Sequence, residues 1–219
     1  MVKIHYYSKE LNKTIKSVAD TTYPVENKVF IAIADGQITG KGEPASTPEI
    51  LGCILGYDDN SESQNTFHKY KSVGTITDNY AQVHYGTAAK GLKYLVIEKL
   101  GTNNERDSPR AGNRGKRDSL VIMMGLLNRV HYGKDLTSLD IAIIDALEYL
   151  QVSVDDVEHL LAIDADTRIS KESISYMVAA MKKEDDILAL CGETKVENKT
   201  QSWVTGLQVF EYYQSHHMK

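Results

Sequence analysis

The sequence predicts an α/β fold in which helices cover a mostly parallel β-sheet. Strand-like and helix-like segments alternate along most of the 219 residues, as in parallel sheets joined by helical crossovers. Residues 28–34 (KVFIAIA) and 92–98 (LKYLVIE) are largely apolar, which is typical of strands covered on both faces. Acidic or glycine-containing stretches follow several of these segments, and open α/β sheets bind their ligands at the carboxyl ends of strands.

The composition is that of a soluble globular chain, with 42% hydrophobic and 25% charged residues. A net charge of −5 argues against a general nucleic-acid binder, so we expect no nucleic-acid partner. Cys53 and Cys191 match no metal or redox spacing and are predicted to be free thiols. The chain contains neither a signal-peptide pattern nor an apolar run of the roughly 18–20 residues needed to span a bilayer. We therefore interpret residues 1–219 as one soluble domain.

In the first half, Leu11, Ile15 and Val18 recur at helical spacing and predict a helix over residues 10–19, with Ser8 as its N-cap. The predicted strand at 28–34 ends at Asp35-Gly36, which is typical of a turn. The other segments predicted here are a loop at 40–48, a helix at 48–55, an exposed excursion at 57–71 and strands at 82–85 and 92–98.

In the second half, a loop at 101–115 precedes a helix predicted over 117–130, in which Met123 and Met124 fill the core. Ser138 caps a further helix at 138–150, and Ser170 caps one at 170–183. The remaining predicted segments are strands at 157–163 and 186–190 and an amphipathic helix at 200–214.

Two carboxylates, Asp164 and Asp166, follow the apolar residues 160–163. In an extended backbone this spacing places both on one face. Paired oxygen donors suit Mg²⁺ or Mn²⁺, with substrate phosphates completing the coordination shell. The alternative is an acidic loop without a ligand, because a single Asp-x-Asp often occurs by chance.

Residues 110–118 (RAGNRGKRD) hold four cations and two glycines directly before a predicted helix. Glycines let backbone N–H groups approach an anion, the helix N-terminus is partly positive, and the cations bind phosphate. The stretch lacks the spacing of a Walker loop, and a solvated basic surface loop is the alternative.

Together these features favour a nucleotide-sugar site. A metal held by the acidic pair and cations of the basic loop would neutralise a diphosphate from two sides, and the metal would stabilise its departure. Asp35 could bind the ribose or the base, or it could only form a turn. Serine hydrolase chemistry is disfavoured because no G-x-S-x-G elbow is present, and the seven histidines show no ligand spacing. We interpret His216-His217 as structural.

Four stretches resemble the chitin synthase family and occur in its order. They are NRGKRDS at 113–119, IDADT at 163–167, CGET at 191–194 and SWVTGLQVFEYY at 202–213. Asp35-Gly36 with Gly40, followed by TPEI at 47–50, resembles the nucleotide-binding half of the same family. The resemblance implies a GT-A fold and an inverting, processive transferase. Such enzymes use Mg²⁺ or Mn²⁺ to transfer N-acetylglucosamine from UDP-N-acetylglucosamine to a growing β-1,4-linked chitin chain.

The resemblance also implies roles for individual residues. Asp164 and Asp166 would bind the metal, and Asp164 would also lie at the diphosphate. Tyr7, Asp35 and Lys99 would lie near the nucleotide, with Asp35 at the uridine. The other residues carried over by motif are Lys116, Arg117 and Asp118 at the donor site, and Trp203, Gln208 and Glu211 on the acceptor side.

The chain departs from the family pattern at both ends. The family opens with Pro-x-Tyr-x-Glu, whereas residues 4–10 read IHYYSKE, so Tyr7 is retained, the proline is absent and Glu10 is displaced. We expect the Glu-Asp motif with the general base, and the Gln-x-x-Arg-Trp motif, beyond Lys219. No catalytic base is therefore assigned within the chain, and we predict a partial transferase domain that binds donor but polymerises little.

The resemblance further implies that the rest of the synthase, with its membrane channel, is a partner at the cytoplasmic face of the plasma membrane. The fragment itself is predicted to be soluble. The sequence also fits two alternatives: a related processive synthase of the hyaluronan or cellulose type, and a degenerate module that binds without catalysis.

Overall fold

A computed structural model describes residues 9–40, 42–57, 66–74, 78–105, 108–184 and 186–217. Tyr7, the predicted cap Ser8 and residues 58–65 of the predicted excursion lie outside the described residues. The chain divides into two compact units, residues 1–171 and residues 172–219. Our interpretation of 1–219 as one domain therefore stays a prediction.

The first unit contains a four-stranded sheet in its described residues. Its strands are β1 (Val29–Ala34), β2 (His68–Lys71), β3 (Asp78–Thr87) and β4 (Lys93–Lys99), in the spatial order β1-β4-β3-β2. Its helices are α1 (Lys9–Ala19), α2 (Thr47–Leu55), α3 (Lys116–His131) and α4 (Ser138–Tyr149).

Connection length explains the strand directions. β1 and β4 pair in parallel, with Val29 opposite Lys93 and Ala34 opposite Glu98, and the long connection between them includes a helix. Residues 72–77 and 88–92 are too few for a crossover, so β3 runs antiparallel to both β2 and β4. The α/β class is confirmed, and the sheet is mixed: the parallel β1–β4 pair is extended by antiparallel strands.

Alternating side chains of the strands form a core on each face of the sheet. On one face, Leu95 and Ile97 of β4 are fully buried and pack in one cluster with Leu126 of α3 and Ile143 of α4. On the other face, Tyr94 and Val96 join Ile15 of α1 and Leu51 of α2. The prediction that helices cover both faces is therefore confirmed for the first unit.

The predicted helices of this unit are all present, with small shifts at their ends. A capping box of Ser46 and Glu49 starts α2, with a proline in the first turn. Thr137, rather than the predicted Ser138, caps α4, because the Thr137 hydroxyl accepts from the Asp140 backbone N–H. Asp140 also accepts two hydrogen bonds of 2.7 Å from Arg129 of α3, which joins the two helices.

Two predicted strands are wrong. Residues 157–163 form no strand, and Leu160 and Leu161 are 46% and 43% exposed. Residues 186–190 likewise form no strand, and Leu188 is 93% exposed. Apolar composition does not make a strand unless a neighbouring strand accepts its backbone hydrogen bonds, and the described residues pair neither segment. Conversely, β2 forms within the stretch predicted to be an exposed excursion, because β3 pairs with it.

The second unit contains α5 (Ser173–Lys183) and α6 (Trp203–His217) in its described part. α5 begins three residues after the predicted cap Ser170, and α6 corresponds to the predicted amphipathic helix. Cys53 and Cys191 are free, as predicted, and both are exposed. Across the described ranges, no helix is both long and apolar enough to cross a membrane.

Candidate functional site

A buried charge network lies where β1 and β4 end. Lys99, the last residue of β4, has a fully buried side chain whose ammonium lies 2.9 Å from Asp35 Oδ1 and 2.8 Å from Asp118 Oδ2. Asp35 follows β1 directly, and Asp118 lies in the first turn of α3. A cation without solvent contact requires such partners, so the two carboxylates are a condition for burying Lys99.

Asp118 is held from a second direction by β2 and the residues after it. Its carboxylate accepts from the Tyr70 hydroxyl at 2.9 Å and from the Val73 backbone N–H at 2.8 Å. Burial, and then the neighbouring Asp118 charge, raises the pKa of Tyr70 strongly. Tyr70 therefore stays protonated at neutral pH and donates its hydrogen bond to Asp118.

The basic loop binds an anion of the protein itself. The backbone N–H groups of Arg114 and Gly115 donate to the two carboxylate oxygens of Asp35, at 2.9 and 2.8 Å. Together with Lys99, three donors surround Asp35, whose side chain keeps 26% of its exposure. Glycines and amides before a helix were expected to bind a ligand phosphate, but two of these amides are used to hold the loop against β1.

Arg114 also points into the protein. Its guanidinium donates to both carboxylate oxygens of Glu105, at 2.9 and 2.7 Å, in the bidentate geometry that favours arginine. These hydrogen bonds lower the pKa of Glu105 to about 2. The Arg114 Nε atom is buried without a hydrogen-bond partner among the described residues. The guanidinium of Arg114 therefore fixes the conformation of the basic loop through its ion pair with Glu105.

Two glycines allow separate parts of the connection between β4 and α3 to pack closely at this edge of the sheet. A Cβ atom on Gly112, whose φ is +76°, would lie 2.4 Å from the Lys99 carbonyl oxygen. A Cβ atom on Gly101, whose φ is +88°, would lie 2.6 Å from the Gly112 nitrogen. The fully buried Asn79 of β3 joins both parts of this connection, because it donates to the Gly112 carbonyl at 3.1 Å and accepts from the Gly101 N–H at 2.9 Å.

Lys116 and Arg117 begin α3 with exposed side chains. Lys116 forms an ion pair with Asp164, 48 residues further along the chain. The basic loop and the acidic pair, which sequence analysis assigned to one diphosphate site, are thus adjacent in the first unit. Because both partners are largely exposed, a metal or a phosphate could displace the ion pair at small cost.

The acidic pair lies in a turn. The Thr167 N–H donates to the Asp164 carbonyl at 3.0 Å, so residues 164–167 form a β-turn instead of the predicted continuation of a strand. Asp164 and Asp166 are both exposed. Within the described part of the chain, no three or more His, Cys, Asp or Glu residues are grouped to hold a metal. Two carboxylates still suit Mg²⁺, which commonly takes one or two from the protein and its other ligands from phosphate and water.

The remaining predicted site residues lie in the second unit or outside the described part. Trp203, Gln208 and Glu211 lie on α6 in the second unit, all exposed, so their acceptor role stays a prediction. The roles proposed for Asp35 and Lys99 at the nucleotide are likewise untested. Sequence reasoning missed Tyr70, Asn79 and Glu105, and only the position of Glu105 before an arginine-rich loop could have indicated one of them.

Comparison with known proteins gives one consistent result. A family model described as chitin synthase matches residues 1–219. The chain is 38% identical to chitin synthase IV of Metarhizium acridum over 95% of its own length. It is also 38% identical to chitin synthase 6 of Mycosarcoma maydis over 95% of its length, and 36% identical to chitin synthase 3 of Candida albicans over 93%.

These matches cover only 18% of each relative, so the chain corresponds to a small part of those proteins. No solved structure matches the chain.

Proposed function

The chain belongs to the chitin synthase family, and on that premise we propose that it forms the donor-binding part of an inverting glycosyltransferase. The donor is UDP-N-acetylglucosamine, and the acceptor is a growing β-1,4-linked chitin chain. The chain would bind and orient the donor and contribute Trp203, Gln208 and Glu211 on the acceptor side, and the remainder of the synthase would supply the membrane channel.

The observation that carries this proposal is the ion pair between Lys116 and Asp164. It joins a cation at the N-terminus of α3 to a carboxylate that can ligate a metal. A diphosphate needs both, because cations and a divalent metal share the neutralisation of its charge. Donor binding would exchange the direct ion pair for contacts from Lys116 to phosphate and from Asp164 to the metal.

Asp164 and Asp166 would hold Mg²⁺ or Mn²⁺, which supplies charge stabilisation for the departing diphosphate. The exposed Lys116 and Arg117 would contact the phosphates from the side of α3. Asp35, Lys99 and Asp118 would act beneath them by fixing the loop that leads into α3. Because the carboxylate of Asp35 already accepts from three donors, its contribution to uridine binding would use its remaining exposed edge.

We place the finished synthase at the cytoplasmic face of the plasma membrane, with its channel as the partner of this chain. The isolated chain should bind donor without appreciable polymer synthesis. General base catalysis is worth about 10²–10⁴-fold in rate, and the base is expected outside these residues.

Calorimetric titration of UDP-N-acetylglucosamine into the purified chain tests the proposal. We expect binding with Mn²⁺, no binding with EDTA, and loss of binding in the Asp166→Ala variant. Asp145→Ala on α4, away from the acidic turn, is the matched control and should bind like wild type. Absence of metal-dependent binding by a chain that is folded by circular dichroism would instead favour a module without donor affinity.

Competition between nucleotide sugars tests which donor sugar the chain prefers. UDP-N-acetylglucosamine should displace bound UDP more effectively than UDP-glucose or UDP-glucuronate does. A preference for either of the latter would favour a synthase of the cellulose or hyaluronan type.

A further inference from the structure

We propose that Thr14 and Ser17 of α1 are positioning residues that fix the acidic turn carrying Asp164 and Asp166. The inference rests on the proposed function, because the orientation of these carboxylates matters only if they hold a metal and a diphosphate. Neither residue belongs to the motifs that resemble the family.

The inward-facing side of α1 carries an apolar row and, beside it, a row of two hydroxyl residues. Ile15 and Val18, 5% and 7% exposed, are part of the buried core. Thr14 and Ser17 are three residues apart and therefore neighbours on the helix surface. Thr14 is only 2% exposed, so its hydroxyl needs a partner inside the protein.

That partner is the acidic turn. The Thr14 hydroxyl donates to the Ala165 carbonyl at 2.8 Å, and it also lies 3.1 Å from the Glu10 carbonyl of its own helix. The Ser17 hydroxyl accepts from the Ile169 N–H at 3.0 Å and donates to the Thr14 carbonyl at 2.7 Å. These bonds connect positions about 150 residues apart in sequence, which makes α1 a support for this loop.

The supported carbonyl lies between the two carboxylates. Fixing the Ala165 carbonyl fixes the peptide plane that leads from Ala165 to Asp166. The turn hydrogen bond between Thr167 and Asp164 fixes the other end. Removing a group that orients a metal ligand through a hydrogen bond typically lowers the metal affinity by about 10–100-fold. Thr14 orients the two carboxylates through the backbone of the acidic turn.

Thr21 offers a matched control on the same stretch of chain. Its hydroxyl is also buried, donates to the Val18 carbonyl at 2.9 Å and accepts from the Lys28 ammonium at 2.6 Å. Removing this hydroxyl disturbs the end of α1 without removing a bond to the acidic turn.

The first experiment titrates Mn²⁺ and UDP into the full 219-residue chain by calorimetry. Thr14→Val, which keeps the shape but removes the hydroxyl, should weaken the complex by about 10-fold. Thr14→Ser keeps the donor and should restore affinity to within about twofold, and Thr21→Val should bind like wild type. Equal affinity of Thr14→Val and wild type would overturn the proposal, as would an equal loss in Thr21→Val.

A second readout does not depend on binding. Hydrogen exchange followed by mass spectrometry should show faster exchange in residues 160–171 of Thr14→Val than in wild type or Thr21→Val. If wild type binds no Mn²⁺ and UDP, the proposed function fails, but exchange still decides whether Thr14 holds the turn. Unchanged exchange in Thr14→Val would contradict the proposal.

Discussion

Lys99 shows how a single charge organises this edge of the sheet. It is fully buried, and its ammonium contacts a carboxylate that follows β1 and another from α3. A buried ion pair adds little net stability compared with an apolar core, yet breaking it leaves an uncompensated charge behind. Removing Lys99 should therefore destabilise the chain mainly because its two carboxylate partners would lose their buried counter-ion.

We predict that Lys99→Met lowers the free energy of unfolding by about 3–5 kcal/mol, because it leaves Asp35 and Asp118 without their shared cation. The double variant Lys99→Met/Asp118→Asn should recover part of this loss, since one of the carboxylate charges is gone. Urea denaturation measures the free energy of unfolding of the single and the double variant. Lys13→Met, at an exposed surface ion pair, is the control and should cost less than about 1 kcal/mol. A Lys99→Met chain as stable as wild type would contradict the described network.

The ionisation of Glu105 makes the free energy of unfolding depend on pH in the acidic range. Its pKa falls from 4.5 to about 2 in the folded chain, chiefly because Arg114 hydrogen-bonds its carboxylate. A lowered folded pKa means that the stabilisation is complete above the unfolded pKa and is lost as the pH falls from about 4.5 towards 2.

We therefore expect Glu105→Gln to flatten the decline in the free energy of unfolding between pH 4.5 and 2. Denaturation curves across this range give the slope for each chain. Glu10→Gln, at an exposed pair on α1, should keep the wild-type slope. Identical slopes for Glu105→Gln and wild type would show that the Arg114 contact does not form in solution.

Among the predicted elements, residues 157–163 differ most from the structure. Their apolar run predicts a buried strand, yet the segment is unpaired among the described residues and its leucines are substantially exposed. β1 and β4 were predictable because their apolar residues alternate between two helical layers. Hydrophobicity alone does not specify pairing, which depends on a partner distant in sequence.

The difference in burial between residues 157–163 and β4 predicts different effects of substitution on stability. Leu161→Ser should change the free energy of unfolding by less than about 0.5 kcal/mol, as is usual for surface positions. Leu95→Ala, at a fully buried position of β4, should cost about 2–5 kcal/mol. A cost for Leu161→Ser that matches Leu95→Ala would mean that 157–163 is buried after all.

α6 carries the predicted acceptor residues and the chain's only tryptophan. Trp203 is 77% exposed, so acrylamide should quench its fluorescence efficiently. If Trp203 lies on the acceptor side, a soluble chitin oligosaccharide should protect it from quenching, whereas a cellulose oligosaccharide of equal length should protect it less. Quenching that neither sugar changes would contradict an acceptor contact at Trp203 in this chain.

For the whole molecule, the sequence predicts the α/β class, six helices and the adjacency of two charged motifs in the described chain. It does not predict the interior of the site. Asp35 and Arg114 look like ligand contacts in sequence because both are charged and lie beside glycines. In the structure, Asp35 accepts from the Gly115 N–H, 80 residues further along the chain, and Arg114 donates to Glu105, nine residues before it. No local pattern encodes the pairing of Asp35 with Gly115.

We propose that the N-terminus of α3 and the acidic turn form one donor site. Adding Mn²⁺ with UDP to ¹⁵N-labelled protein tests it directly, because the bound paramagnetic ion broadens nearby amide signals in NMR spectra. We predict that the amides of residues 115–118 and 164–167 broaden first and together, while those at the far end of α4, such as Tyr149, persist. Broadening of the acidic turn without the residues of α3, or of neither, would contradict a shared donor site.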